Sequence, residues 1–101
     1  MTRIIVSPKA NADFLDILDY LTNLAGYVVA NKYASDLAEI YDRLSMFPEI
    51  GSSRPSLGSQ ARIMVISPYV VVYDYLREND TVRIVRIVDG RRNVTRRLVR
   101  G

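Results

Sequence analysis

Twelve of the fourteen basic side chains in this sequence are arginines, and it has no histidine and no cysteine. That combination sets the available chemistry. Without histidine the commonest general base and metal ligand are missing, along with every Ser-His or Cys-His pairing. Without cysteine there is no disulfide, thiolate metal site or thiol nucleophile. Arginine offers a planar fork of donors that fits carboxylates and phosphates, but with a pKa above about 12 it does not shuttle protons. The tunable bases are few. Lys9 and Lys32 fall in the N-terminal half, away from the arginine-rich half. Tyr69, Tyr73 and Tyr75 alternate along one apolar run, where packing is the favoured role. Asp13, Asp16 and Asp19 have a spacing that superficially suggests a metal site, yet acids spaced by three on a helix usually form a solvated face. No cofactor or metal is expected, and no phosphate-binding loop or dinucleotide fingerprint occurs. The residue types suit binding better than catalysis.

The charge is unevenly placed. Residues 1–50 carry four basic and seven acidic side chains, whereas residues 51–101 carry ten arginines and four acids. Arg83, Arg86, Arg91, Arg92, Arg96, Arg97 and Arg100 face only Asp89 in the last stretch. A one-sided basic region implies an anionic partner, nucleic acid or an acidic protein surface, or else a solvated tail that keeps the chain soluble. Sequence-specific nucleic-acid binding is not expected, because the tail has no interleaved aromatics for stacking and no known module appears. No apolar run reaches the roughly 18 residues of a membrane span, and the opening apolar run stops at Ser7-Pro8, so the cytoplasm is the expected compartment.

The elements that carry these residues follow from periodicity. Arg3 to Ser7 reads as a short strand. Ser7 and Pro8 fit the N-cap and first position of a helix whose apolar face is Phe14, Ile17, Leu18, Leu21, Leu24 and Ala25, ended by Gly26. A second helix carries Val29, Tyr33, Leu37, Ile40, Tyr41, Leu44 and Phe47, completing an antiparallel hairpin. Residues 48–61 read as a loop. Three runs, Arg62 to Ile66, Tyr69 to Leu76 and Val82 to Val88, form a three-stranded antiparallel meander, with the turns at Ser67-Pro68 and Glu78-Asn79-Asp80. The fold class is α+β, in one domain over residues 1–101. A basic C-terminal tail over residues 91–101 is expected to be mobile or to be ordered by a partner. Both faces of the strands are apolar, so the face away from the helices must be covered by the tail, by a second copy or by a partner.

Residues along most of the chain carry a resemblance. Ser7-Pro8 with Ala12, Asp13, Ile17 and Tyr20 resembles the opening of the ParE/RelE toxin superfamily. Phe47-Pro48-Glu49-Ile50-Gly51 with Arg54 and Leu57 resembles its FP..G..R..L loop. Arg62, Tyr69 and Tyr73 fit its R…Y…Y pattern, and Val82 to Arg92 resembles its closing V.I.RI.HGRR strand, with Asp89 where the His often stands. The resemblance implies the toxin of a type II toxin–antitoxin system, a plasmid-stabilisation module, held silent in a hetero-oligomer by a ParD-like antitoxin. In the ParE branch the target is DNA gyrase; in the RelE branch it is mRNA on the ribosome. The lysine cluster and C-terminal Tyr or His of the ribonuclease branch are missing, which favours gyrase and action by binding. A RelE-type mRNA endonuclease and an inactive antitoxin-binding module are the alternatives. On this reading Arg62, Arg86, Arg91, Arg92, Arg96 and Arg97 form the target surface, with Arg100 in support, and a structural ion pair is the competing role for Arg62 and Arg86. Leu18, Leu21, Tyr33, Leu37 and Tyr41 are the expected antitoxin contacts, with ordinary core packing the competing role for each.

Overall fold

The computed structural model describes all residues 1–101. Strand β1 (Arg3–Val6) leads into helix α1 (Pro8–Ala25), which turns through Gly26 into helix α2 (Tyr27–Met46). The rest is β2 (Ser52–Ser53), β3 (Ala61–Ile66), β4 (Tyr69–Leu76), β5 (Thr81–Asp89) and a short helix α3 (Arg96–Arg100). The α+β class, the helical hairpin and the β3–β4–β5 meander match expectation. The sheet runs β1-β5-β4-β3-β2, with β1 parallel to β5 and every other pair antiparallel. Three features escaped the sequence, the first being helix α3 in a tail expected to be mobile or ordered by a partner. The loop after α2 contributes a two-residue edge strand, β2, and a 3₁₀ turn at Pro55–Leu57.

Local rules explain the helix ends. The Ser7 hydroxyl oxygen accepts from the Ala10 backbone N–H at 3.1 Å, a capping bond worth about 1 kcal/mol. The same hydroxyl donates to the Val85 carbonyl at 2.8 Å and so fixes the start of α1 on β5. Gly26 has φ +87°, which a side chain would strain, so a single residue suffices to link the two helices.

Two apolar layers sandwich the sheet. On one face, Ala10, Tyr33, Leu37, Ile40 and Leu44 of the helices meet Tyr69, Val71, Tyr73, Val82, Ile84 and Ile87. On the other, Leu57, Ala61, Val72, Val85, Val88 and Val99 form a second cluster, with Leu98 and Val94 packed against it. The C-terminal segment therefore folds back over the centre of the second face, and Val99 is 1% exposed there. Of the three covers expected for that face, the chain supplies its own tail. Burying a valine side chain in this way contributes about 1.5–3 kcal/mol toward offsetting the entropy of ordering this segment.

The helical faces overshoot the sheet. Leu24 and Val29 were expected to point inward, but both are exposed, as is Phe47 after α2. The exposure of Leu24 and Val29 lies at the hairpin tip around Gly26, whereas Leu44 in the last turn of α2 is fully buried. No helix is long and apolar enough to cross a membrane.

Candidate functional site

The arginines divide into a fixed set and an exposed set. Arg86 belongs to the first. Its Nε and Nη2 donate to the two carboxylate oxygens of Asp13 at 2.7 and 3.0 Å, and its Nη1 donates to the Leu98 carbonyl at 2.9 Å. The pair is mostly shielded, and the Asp13 bond raises the Arg86 pKa further. The backbone accounts for this position. Strand β1 pairs with β5 only as far as Val6↔Ile84, which leaves the outer edge of β5 open beyond that point. Asp13 closes the edge by accepting the Ile87 N–H at 2.9 Å. Asp13 therefore lies off the solvated face to which its spacing assigned it, whereas Asp16 and Asp19 are exposed as expected.

Arg100 is fixed in the same manner. It donates to both carboxylate oxygens of Asp74, at 2.9 and 2.6 Å, and to the Leu57 carbonyl at 2.6 Å. Arg86 and Arg100 each form a two-pronged bond to an aspartate of the body, and together they tie the tail to α1, β4 and the 3₁₀ turn. Arg86 was an expected target contact and Arg100 an expected support. The structure gives both a structural role, because three of the five N–H donors of each guanidinium bond within the chain.

Arg62 lies on β3, and its side chain reaches into the loop after α2. It donates to the Glu49 and Gly51 carbonyls at 2.9 and 2.8 Å and pairs with the Glu49 carboxylate, which Arg77 also engages. The Tyr73 phenol is built into the same loop. It donates to the Pro48 carbonyl at 2.8 Å and accepts the Gly51 N–H at 2.9 Å. Burial raises its pKa. In the register Arg62 opposes Tyr73 while Tyr69 opposes Asp89. Arg62 is thus about four residues, or ~13 Å, along the sheet from the Gly90 turn. The structure does not gather the expected target residues in one place.

The exposed set begins at that turn. Arg91 donates through Nε and Nη2 to Asp89 at 3.0 and 2.6 Å, and its backbone N–H also meets this carboxylate. These bonds from Arg91 hold the Asp89 carboxyl down to about 2. Asp89 thus orients the turn, in the position where the resemblance often has histidine. Arg92, Arg96 and Arg97 are exposed, and their side chains form no ion pair or hydrogen bond within the chain. Arg54 and Arg83 are likewise exposed and unpaired.

The tyrosines are poorly placed for proton transfer. Desolvation raises the pKa of Tyr33 and Tyr69 and pushes Tyr41 up to about 12. The Tyr33 ring sits between Phe14 and Tyr69, with centroids 6.0 and 5.5 Å away, and its hydroxyl is buried without a partner. Tyr33 and Leu37, both 4% exposed, are core residues and offer an antitoxin nothing to touch. Leu18, Leu21 and Tyr41 are half-buried against the same core. Helical periodicity selected the inward face. Exposed apolar residues cluster instead at Leu24, Tyr27 and Val28 on the hairpin tip and at Met46, Phe47 and Ile50 around the end of α2, although periodicity had put Leu24 and Phe47 on the apolar faces.

Comparisons with known proteins agree with this architecture. Residues 4–94 match the family model of the ParE toxin of type II toxin–antitoxin systems, parDE. The chain is 31% identical over 98 residues to Toxin ParE3 of Caulobacter vibrioides, covering 97% of this chain and 96% of the relative. It is also similar to a solved chain of the chromosomal ParDE toxin–antitoxin system from P. aeruginosa. There the TM-score is 0.72 at 25% identity, over 88% of this chain and 96% of the other. The order of elements, the loop built around Tyr73 and the match along nearly the whole length lead to one conclusion: this chain belongs to the ParE toxin family of type II toxin–antitoxin systems.

Proposed function

We propose that this toxin inhibits DNA gyrase by binding it directly, in the cytoplasm, and that a ParD-like antitoxin neutralises it. The observation that carries the reading is the exposed, unpaired state of Arg92, Arg96 and Arg97, in a chain with no histidine whose buried Tyr33, Tyr69 and Tyr73 have raised pKa values. Such a surface can grip carboxylates or phosphates, but it holds no group poised to exchange protons near neutral pH. In this reading Arg91, Arg92, Arg96 and Arg97 meet the target. Arg86, Arg100 and Arg62 keep the tail and the loop after α2 in the shape that presents them.

The antitoxin would cover the same arginines with carboxylates. It would gain hydrophobic area from the half-buried Leu18, Leu21 and Tyr41 and from the exposed hairpin tip. The decisive experiment sets purified toxin against gyrase-driven supercoiling and, in parallel, against mRNA in a translation extract. Loss of supercoiling with accumulation of cleaved DNA, and intact mRNA, is the expected result. Shortened mRNA with unaffected gyrase would overturn the proposal in favour of ribonuclease action. No effect in either assay, with normal growth on induction, would leave an antitoxin-binding module without a target.

A further inference from the structure

The tail seals the centre of the second sheet face but not its corner. A cavity of about 260 Å³ opens there, floored by Leu57, Ile63, Val70 and Val94 and flanked by Arg54 and Arg92. Ile63, Val70 and Val94 remain partly exposed in it. No acidic residue lines it.

The two arginines are held in an unusual way. The backbone of Arg54 is fixed on both sides: its N–H donates to the Ala61 carbonyl at 2.9 Å, and its carbonyl accepts the Leu57 N–H at 2.9 Å. The Arg92 N–H donates to the Asp89 carbonyl at 3.1 Å. Gly90, also in the lining, lets this turn close onto the floor. A Cβ there would lie 2.8 Å from Val70 Cγ2 and 3.0 Å from the Pro68 carbonyl oxygen. The anchor points of both side chains are thus rigid, while the guanidinium groups have no partner in the chain.

We propose that this corner is a binding pocket for a peptide segment in which an aliphatic side chain sits next to a carboxylate. The aliphatic group would fill the apolar floor, and the carboxylate would bridge toward Arg54 and Arg92 through charge-assisted hydrogen bonds. A nucleotide fits less well, because no aromatic side chain lines the cavity to stack on a base. The chemistry of the pocket does not depend on which enzyme the toxin inhibits.

The test is methyl and amide NMR titration of the intact toxin with acetyl-Leu-Glu-Leu-amide. Acetyl-Leu-Gln-Leu-amide and adenosine monophosphate serve as comparison probes. Saturable shifts of the Ile63, Val70 and Val94 methyls by the acidic peptide are expected, with binding about tenfold weaker for the Gln peptide. Arg54→Gln with Arg92→Gln should abolish that preference. On the unaltered chain, raising salt from about 20 to about 300 mM should weaken only the acidic peptide, so the result stands even if the double variant folds poorly. Equal binding of both peptides, tighter binding of adenosine monophosphate, or no saturable shift at these methyls would overturn the proposal.

Discussion

Replacing Asp13 with alanine is expected to cost this small domain a large share of its stability. Two losses combine at that position. The Arg86 guanidinium loses the carboxylate that takes its Nε and Nη2 bonds, and the Ile87 N–H loses its acceptor. Removing one partner of a buried pair costs about 3–5 kcal/mol. Here the side chains are 21% and 16% exposed, so water partly replaces the lost partner and the lower end applies. An orphaned, part-buried backbone donor adds about 1–3 kcal/mol. A combined loss of about 4 kcal/mol or more is therefore expected. With a urea slope of about 1–1.5 kcal/mol/M for a chain of this size, the unfolding midpoint should fall by roughly 3–4 M. Combining Asp13→Ala with Arg86→Met tests the cause. The double variant leaves neither charge alone and should be less destabilised than the two single effects predict together, by about 2 kcal/mol or more. A loss below about 1 kcal/mol for Asp13→Ala, or singles that simply add, would refute the idea that this pair closes the sheet edge and holds the tail.

The other expectations follow from single contacts. Tyr33→Phe should leave stability unchanged or raise it by up to about 1 kcal/mol in urea unfolding, since the lost hydroxyl is buried without a partner and the ring contacts remain. Gly51→Ala should destabilise by about 1–3 kcal/mol, because the added carbon would lie 2.6 Å from the Tyr73 hydroxyl and 2.7 Å from the Ile63 carbonyl oxygen. Asp89 has its pKa lowered from 3.8 to about 2 by Arg91, so its stabilising contribution is complete above about pH 4 and is lost as pH falls toward 2. Asp89→Asn should flatten the dependence of the unfolding midpoint on pH in that window. Replacing Arg92, Arg96 and Arg97 together with glutamine should change stability by no more than about 0.5 kcal/mol per residue while weakening gyrase inhibition at least about tenfold. An unchanged inhibition curve would count against the exposed arginines as the target surface.

Local signals wrote much of the fold legibly. Ser7-Pro8 announced a helix start, Gly26 its end, and the Val- and Tyr-rich runs a meander, because each depends on neighbours within a few positions. What the sequence concealed depends on partners far away. Asp13 reads as one more surface acid until its partner appears 73 positions later. Strand β2 has only two residues and owes its conformation to pairing with Arg62 and Ile63. The apolar stripe containing Tyr33 and Leu37 was visible, but periodicity marks a face without saying whether sheet or partner will cover it. The excess of arginine was equally visible. Its division into Arg86 and Arg100, consumed by aspartates, and Arg92, Arg96 and Arg97, left in solvent, is a three-dimensional fact.

The parallel pairing of β1 with β5 postpones completion of the fold until nearly the whole chain has been made. The opening strand has no sheet neighbour other than the last one, and Thr2, Arg3 and Ser7 all bond to residues of the β4–β5 turn or of β5 itself. A nascent chain can wind its hairpin early, but it cannot complete the sheet until the segment through Asp89 has left the ribosome. Assembly must then wait for nearly the whole chain, because pairings this distant in sequence form slowly. During that delay the apolar strands stay uncovered, open to any partner able to pair with a strand edge.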